Sequence, residues 1–151
     1  MSYQLVSPAS EAHWKAYHDI RRHILFERRG RFGVYDPRHP DEFRAGHFPK
    51  LLLLEETPIG VIRIDIDGRI DIDGKTVRFR RVAIAEGHQR CGHGRVLLGL
   101  AEAFARDHRA VRVEASVAAD AVGFYRNCGY RALKILDEAG SVRMMKPLAD
   151  E

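Results

Sequence analysis

Cysteine is scarce here: the 151 residues hold only Cys91 and Cys128. A scaffold stapled by disulfides is therefore excluded, and a reducing compartment, the cytoplasm, is expected. Long apolar runs are missing too. The run Leu51 to Leu54 is far too short for a bilayer, which needs about 20 residues, so no membrane partner is expected. Met1 to Ser10 has neither a basic n-region nor an apolar core, and no secretory signal is expected there. Metal-ligand spacing is also wanting. Among the eight histidines there is no His-x-x-x-His with an acidic partner. His13, His18 and His23 stand five apart, which spreads them around a helix instead of aligning them. No metal is expected.

What is present is ordinary for a globular chain: 45% hydrophobic and 30% charged residues, enough for one domain over residues 1–151 with a sizeable core. The formal charge of +4 raises the question of a nucleic-acid partner. The basic residues collect in Arg21-Arg22-His23, Arg28-Arg29-Gly30-Arg31 and Arg78 to Arg81, interleaved with acids. That pattern fits solvated faces plus one anionic-ligand site better than a polyanion track. Nucleic acid stays as the weaker alternative, with Arg28 to Phe32 vaguely like an RGG segment.

Periodicity orders the chain. Tyr3 to Val6 reads as a strand. Pro8 and Ser10 open a helix from Glu11 to about Glu27, with Trp14, Tyr17, Ile20 and Ile24 at helical spacing. Gly30 to Pro49 reads as a long loop with a short helix at Asp41 to Ala45. Leu51 to Leu54 is a buried strand. Ile59 to Asp67 alternates, with Ile62, Ile64 and Ile66 on one face and Arg63 and Asp65 on the other. The repeated Asp-Ile-Asp-Gly, at Asp65 to Gly68 and Asp71 to Gly74, fails the spacing of a calcium loop and reads as hairpin turns. Lys75 to Ile84 returns as a strand. Then come a helix from Val96 to His108, a strand at Val111 to Ala115, a helix at Ala118 to Asn127, and strands at Tyr130 to Leu136 and Ser141 to Lys146. This order implies an α/β (α+β) mixed sheet with helices on both faces.

Two motifs carry chemistry. Gln89-Arg90-Cys91-Gly92-His93-Gly94-Arg95 lies between a strand and a helix. A glycine turn there leaves backbone N–H groups unpartnered at the positive end of the helix dipole, a place for phosphate. The second motif is Phe124-Tyr125-Arg126-Asn127-Cys128-Gly129-Tyr130, a helix that ends on Gly129 and turns back into strand. Phe124 reads as core, and Cys91 as loop packing.

Together the motifs resemble the GCN5-related N-acetyltransferase (GNAT) family of acetyl-CoA-dependent acyltransferases. Gln89 to Gly94 fits the family's Gln/Arg-x-x-Gly-x-Gly/Ala loop. Arg80 to Ile84 looks like the strand beside pantetheine, and Ala121 to Tyr130 like the Ala-x-x-Phe-Tyr-x-x-x-Gly-Phe/Tyr segment. Met144 to Leu148 is similar to the family's last strand. At Ala118 many members carry Asn, so no side-chain contact carries over there.

The resemblance implies a single-domain, mostly antiparallel sheet splayed at the cofactor site. It also implies acetyl-CoA as co-substrate, and an acceptor that is a small-molecule or exposed protein amine. The chain would work as monomer or homodimer. Cofactor contacts would come from Val82, Ala83, Ile84, Gln89, Arg90, Cys91, Gly92, His93, Gly94 and Arg95. Tyr125 is the candidate general acid for the departing thiolate. The base must be a carboxylate acting through water on an amine of pKa about 10.4; Glu114 is the first candidate and Glu27 the second. Gly30 to Pro49 is expected to cover the acceptor side as a lid. A catalytically silent CoA-binding module, or transfer of a larger acyl group, remain as alternatives.

Overall fold

The computed structural model describes residues 2–66, 70–71, 74–136 and 140–148. Its strands are β1 (Tyr3–Val6), β2 (His47–Leu54), β3 (Thr57–Asp65), β4 (Ile70–Asp71), β5 (Gly74–Ile84), β6 (Ala110–Val117), β7 (Arg131–Leu136) and β8 (Val142–Pro147). The helices are α1 (Glu11–Arg21), α2 (His93–Asp107) and α3 (Val122–Asn127). The strands join in one sheet, ordered β1-β2-β3-β5-β6-β8-β7, with β4 paired to β5 alone. Among the described residues every pairing is antiparallel except β5 with β6. A β-α-β crossover through α2 makes that one pair parallel. The expected mixed, mostly antiparallel sheet with helices on both faces is the fold.

Two apolar layers sandwich the sheet. One lies under α2, where Leu97, Leu98 and Ala101 pack on Ile62, Ile64, Val77, Phe79 and Met144. The other lies under α1, where Tyr17 and Ile20 pack on Leu51, Leu53 and Val61. The unbroken leucine run in β2 follows from this: Leu52 serves the first layer, and Leu51 and Leu53 the second. A strand buried on both faces needs no polar alternation.

Several boundaries differ from the sequence reading. α1 starts at Glu11 as expected, capped by Ser10, whose side chain accepts from the His13 N–H at 3.1 Å. It ends at Arg21, and Arg22–Phe26 continue as a π turn. β2 reaches back to His47, and the short helix in the loop is a 3-10 turn at Pro40–Phe43. α2 starts at His93 and not Val96, because glycine's low helix propensity hides the first turn. The Ala118 helix opens as a 3-10 turn, Ala119–Ala121, with no side-chain cap at Ala118. The tips of the two Asp-Ile-Asp-Gly turns fall outside the described residues. β4 and β5, however, pair as a hairpin across the second, Ile70 with Lys75 and Asp71 with Gly74.

Arg63 and Asp65 stand on the face opposite the isoleucines, as the alternation implies, and that face is buried too: they are 6% and 7% exposed. They bury because each is the other's partner: Arg63 Nε and Nη2 donate to Asp65 Oδ1 and Oδ2 at 2.7 and 2.8 Å.

Candidate active site

The site begins where two strands part. β5 and β6 pair from Lys75 to Phe79 and, among the described residues, no further. β5 runs on to Ile84 against β3 alone, so its other edge offers backbone N–H and C=O groups from Arg80 to Ile84. Between Val61 and Arg63 the β3–β5 register slips, setting Arg81 and Val82 against one residue of β3. Arg81 has φ +57 at this bulge. A bulge re-aims side chains, and Arg81 turns to the α1 face, its guanidinium 5.6 Å from the Phe26 ring.

A cavity of about 720 Å³ opens beside this free stretch of β5. Val82, Ala83 and Ile84 line it from β5, and Gln89, Arg90, Gly92, Gly94 and Arg95 from the turn and α2. Gly92 is the N-cap at φ +85 with no side-chain cap, and the first backbone bond of the helix runs from Val96 N to Gly92 O. The N–H groups of His93, Gly94 and Arg95 therefore precede the helical ladder at the dipole's positive end. A Cβ on Gly92 would stand in open space, whereas one on Gly94 would lie 2.9 Å from Phe124 Cζ. Gln89 anchors the turn: its Nε2 donates to the Ile84 carbonyl at 2.9 Å, and its Oε1 accepts from Arg28 at 2.9 Å.

Two residues of the expected set stand apart from the cavity walls. His93 is buried, its Nδ1 2.8 Å from the Tyr3 hydroxyl. Cys91 is exposed, its thiol donating to the Gln89 carbonyl within the loop at 3.4 Å. Phe124, expected in the core, is 40% exposed and lines the cavity. Ile24, Leu25, Arg28 and Arg29 close the opposite wall. Ile24 and Leu25 come from the π turn and Arg28 and Arg29 from the 3-10 turn Glu27–Arg29 that follows, a change of helical period that hides their shared face in the sequence. At the rim Arg29 meets Asp120 at 3.7 Å.

Tyr125 comes from α3. It is 7% exposed, edge-on to Phe124 and to Tyr130, and lines the same cavity. Among the described residues no hydrogen-bond partner meets its hydroxyl. Burial, then the nearby Cys128, pushes this phenol well above its ordinary value of 10, so it holds its proton. The turn behind it is locked by Glu102, which accepts from Tyr130 and Lys146, both at 2.9 Å.

Glu114 lies in a second, smaller pocket of about 360 Å³ on the α1 face, beside Arg78, Phe79, Arg80, Ala115, Ser116 and Arg143. Its nearest cation is Arg143, at 4.0 Å. Glu27, the other carboxylate, lies 3.6 Å from His23 and lines neither cavity. Next to the small pocket is a buried charge cluster. Arg21 pairs with Glu42, which also accepts from Tyr17 at 3.2 Å. Asp65 takes Arg80 at 3.1 Å beside Arg63, and His47 at 3.6 Å. Burial pushes the Tyr17 hydroxyl up to about 12, against the opposing pull of Arg21 and Arg63.

The site is thus an open mixed sheet that breaks between two parallel strands, with a bare helix N-terminus beside the break. Residues 11–130 match the sequence model of the Acetyltransferase (GNAT) family, and the chain belongs to that family. Its fold is similar to that of a putative N-acetyltransferase from Lactobacillus plantarum, at 27% identity and TM-score 0.76, over 99% of this chain and 100% of that one. Escherichia coli ElaA superposes at TM-score 0.78 with 15% identity, covering 96% and 98% of the two chains. The ribosomal-protein-S18-alanine N-acetyltransferase of Escherichia coli superposes at 0.71 with 13% identity, covering 99% and 96%. The last two likenesses speak to fold alone. Among curated proteins no sequence match is found. Within the described residues no helix is long and apolar enough to cross a membrane.

Proposed function

We propose that this protein transfers an acetyl group from acetyl-CoA to an amine, directly, within a ternary complex. One observation supports this above all: the free edge of β5, the bare N–H groups of the α2 turn and the unbonded Tyr125 hydroxyl open into one cavity. The open space before Gly92 suits a pyrophosphate, with Arg28, Arg90 and Arg95 adding positive charge at its margin. Val82 to Ile84 would pair with the pantetheine arm as another strand would.

Bound acetyl-CoA supplies a thioester carbonyl. A backbone N–H of the β5 edge would face the oxygen on which negative charge develops. As the amine nitrogen forms its bond to that carbon and the carbon–sulfur bond breaks, the Tyr125 O–H donates its proton to the departing sulfur. A phenol kept protonated by burial suits this role. Glu114 would accept the proton lost by the amine, through water. The acceptor is a small molecule or an exposed protein amine, and a monomer or homodimer would serve. Two free thiols, one of them exposed, fit the reducing cytoplasm.

The test is a pair of measurements. Acetyl-CoA should raise the melting temperature by mass action, and amines should release free thiol in its presence. Tyr125→Phe should keep the thermal shift while kcat falls about 10²–10⁴-fold. A thermal shift without turnover on any amine would make the protein a silent CoA-binding module. An unchanged kcat in Tyr125→Phe would return Tyr125 to a packing role.

A further inference from the structure

The α1 face of the sheet holds more positive charge than its own acids neutralise. Arg21, Arg63, Arg78, Arg80, Arg81 and Arg143 share it with three carboxylates, Glu42, Asp65 and Glu114. Glu42 and Asp65 are already engaged by Arg21, Arg63 and Arg80. Among the described residues no acid pairs with Arg81 or with Arg78. Arg81 is held in a left-handed conformation at the bulge, which sets it on the same face as Arg80. Desolvation, together with Arg21, Arg63, Arg80 and Arg31, lowers its pKa. The Nε of Arg21 is buried without a hydrogen-bond partner.

This surplus borders the break in the sheet. Arg80 lines the small pocket and is also the first residue of the free β5 edge. Glu114 is the carboxylate of that pocket. Resting on the acyl-transfer reading above, we propose that this pocket selects an amine that also bears a carboxylate. Arg78 and Arg80, which line the pocket, hold the carboxylate, and Glu114 faces the amino group. The planar guanidinium fork matches a carboxylate in two-point contact. A polyamine would bring further positive charge to a face that is already overcharged. A phosphate dianion would meet Glu114 within the same pocket. A zwitterion presents one charge to each. The volume, about 360 Å³, suits a small molecule.

The experiment uses L-α-amino acids, each with its carboxamide and its decarboxylated amine, as probes on the protein saturated with CoA. Binding is read by calorimetry, and transfer from acetyl-CoA by thiol release. The amino acid should bind and be acetylated in preference to both of its neutral-ended relatives. Arg78→Gln should raise its KM about ten- to a hundredfold, the loss expected for a charged hydrogen bond. Arg78→Lys, which keeps the charge and loses the planar fork, should recover only part of that loss. Neither change should alter acetyl-CoA affinity, which also shows that each variant is folded. Equal use of amino acid and decarboxylated amine would overturn the proposal, as would an unchanged KM in both variants. Turnover of plain amines with no preference leaves the acyltransfer reading standing. Acetyl-CoA binding with no acceptor bound or turned over would sink both.

Discussion

At the scale of single residues, the two glycines of the turn do different work. Gly92 takes φ +85 in open space, so its need is conformational. Gly92→Ala should cost about 1–2 kcal/mol of stability, the left-handed penalty. Gly94 has no such angle; its need is room for Phe124. Gly94→Ala should push the ring into the cavity and weaken acetyl-CoA binding about tenfold, as overpacking of about 1–3 kcal/mol implies. Phe124→Leu in that background should restore affinity. Calorimetric titration of the three proteins decides it, and a Gly94→Ala variant that binds normally would dismiss the ring contact. The turn and Tyr125 were legible in the sequence because their backbone demands are written as glycine spacing. Arg81 was not, since a bulge leaves no residue signature when an arginine occupies it.

Among elements, the stretch from Arg22 to Gly46 departs furthest from periodicity. A π turn adds a residue per turn, which breaks the helical spacing the sequence reading relied on. The segment that follows has no repeat, yet it is held down. Tyr35 stands edge-on to Phe26, lies under Arg22 at 5.2 Å, and hydrogen-bonds His18 Nδ1. Desolvation, then Arg21 and Arg22, lowers His18 below its ordinary 6.5, against an opposing pull from Asp19. A depressed value means that folding stability is full above pH 6.5 and falls as pH drops toward the lowered value, where His18 must charge in its buried place. If the segment roofs the acceptor pocket, Tyr35→Ala should raise acceptor KM and leave acetyl-CoA affinity unchanged. In the parent, acceptor KM should also climb below pH 6.5 more steeply than in Tyr35→Phe, whose amine acceptor titrates alike. Superimposable profiles would separate the segment from the acceptor.

Over the whole molecule, the Arg21–Glu42 pair ties α1 to the segment before β2, with both side chains under a tenth exposed. Glu42→Gln leaves a buried guanidinium uncompensated and should cost about 3–5 kcal/mol, whereas removing both charges together should cost far less. Urea midpoints at constant slope measure this, and a mild loss in the single variant would show that water reaches the cluster. Strand order was readable in part: a strand, a helix and a strand in succession imply a parallel pair. That the pair would part at Phe79 was not readable, because separation depends on tertiary packing and not on local pattern. The parting has a cost of another kind. An unpaired stretch of β5 inside a sheet is a strand edge, and an edge accepts any extended backbone, including one from a neighbouring molecule. A ligand lodged there does for this protein what a protective bulge or charged rim does for an outer strand: it shields the chain from its own kind.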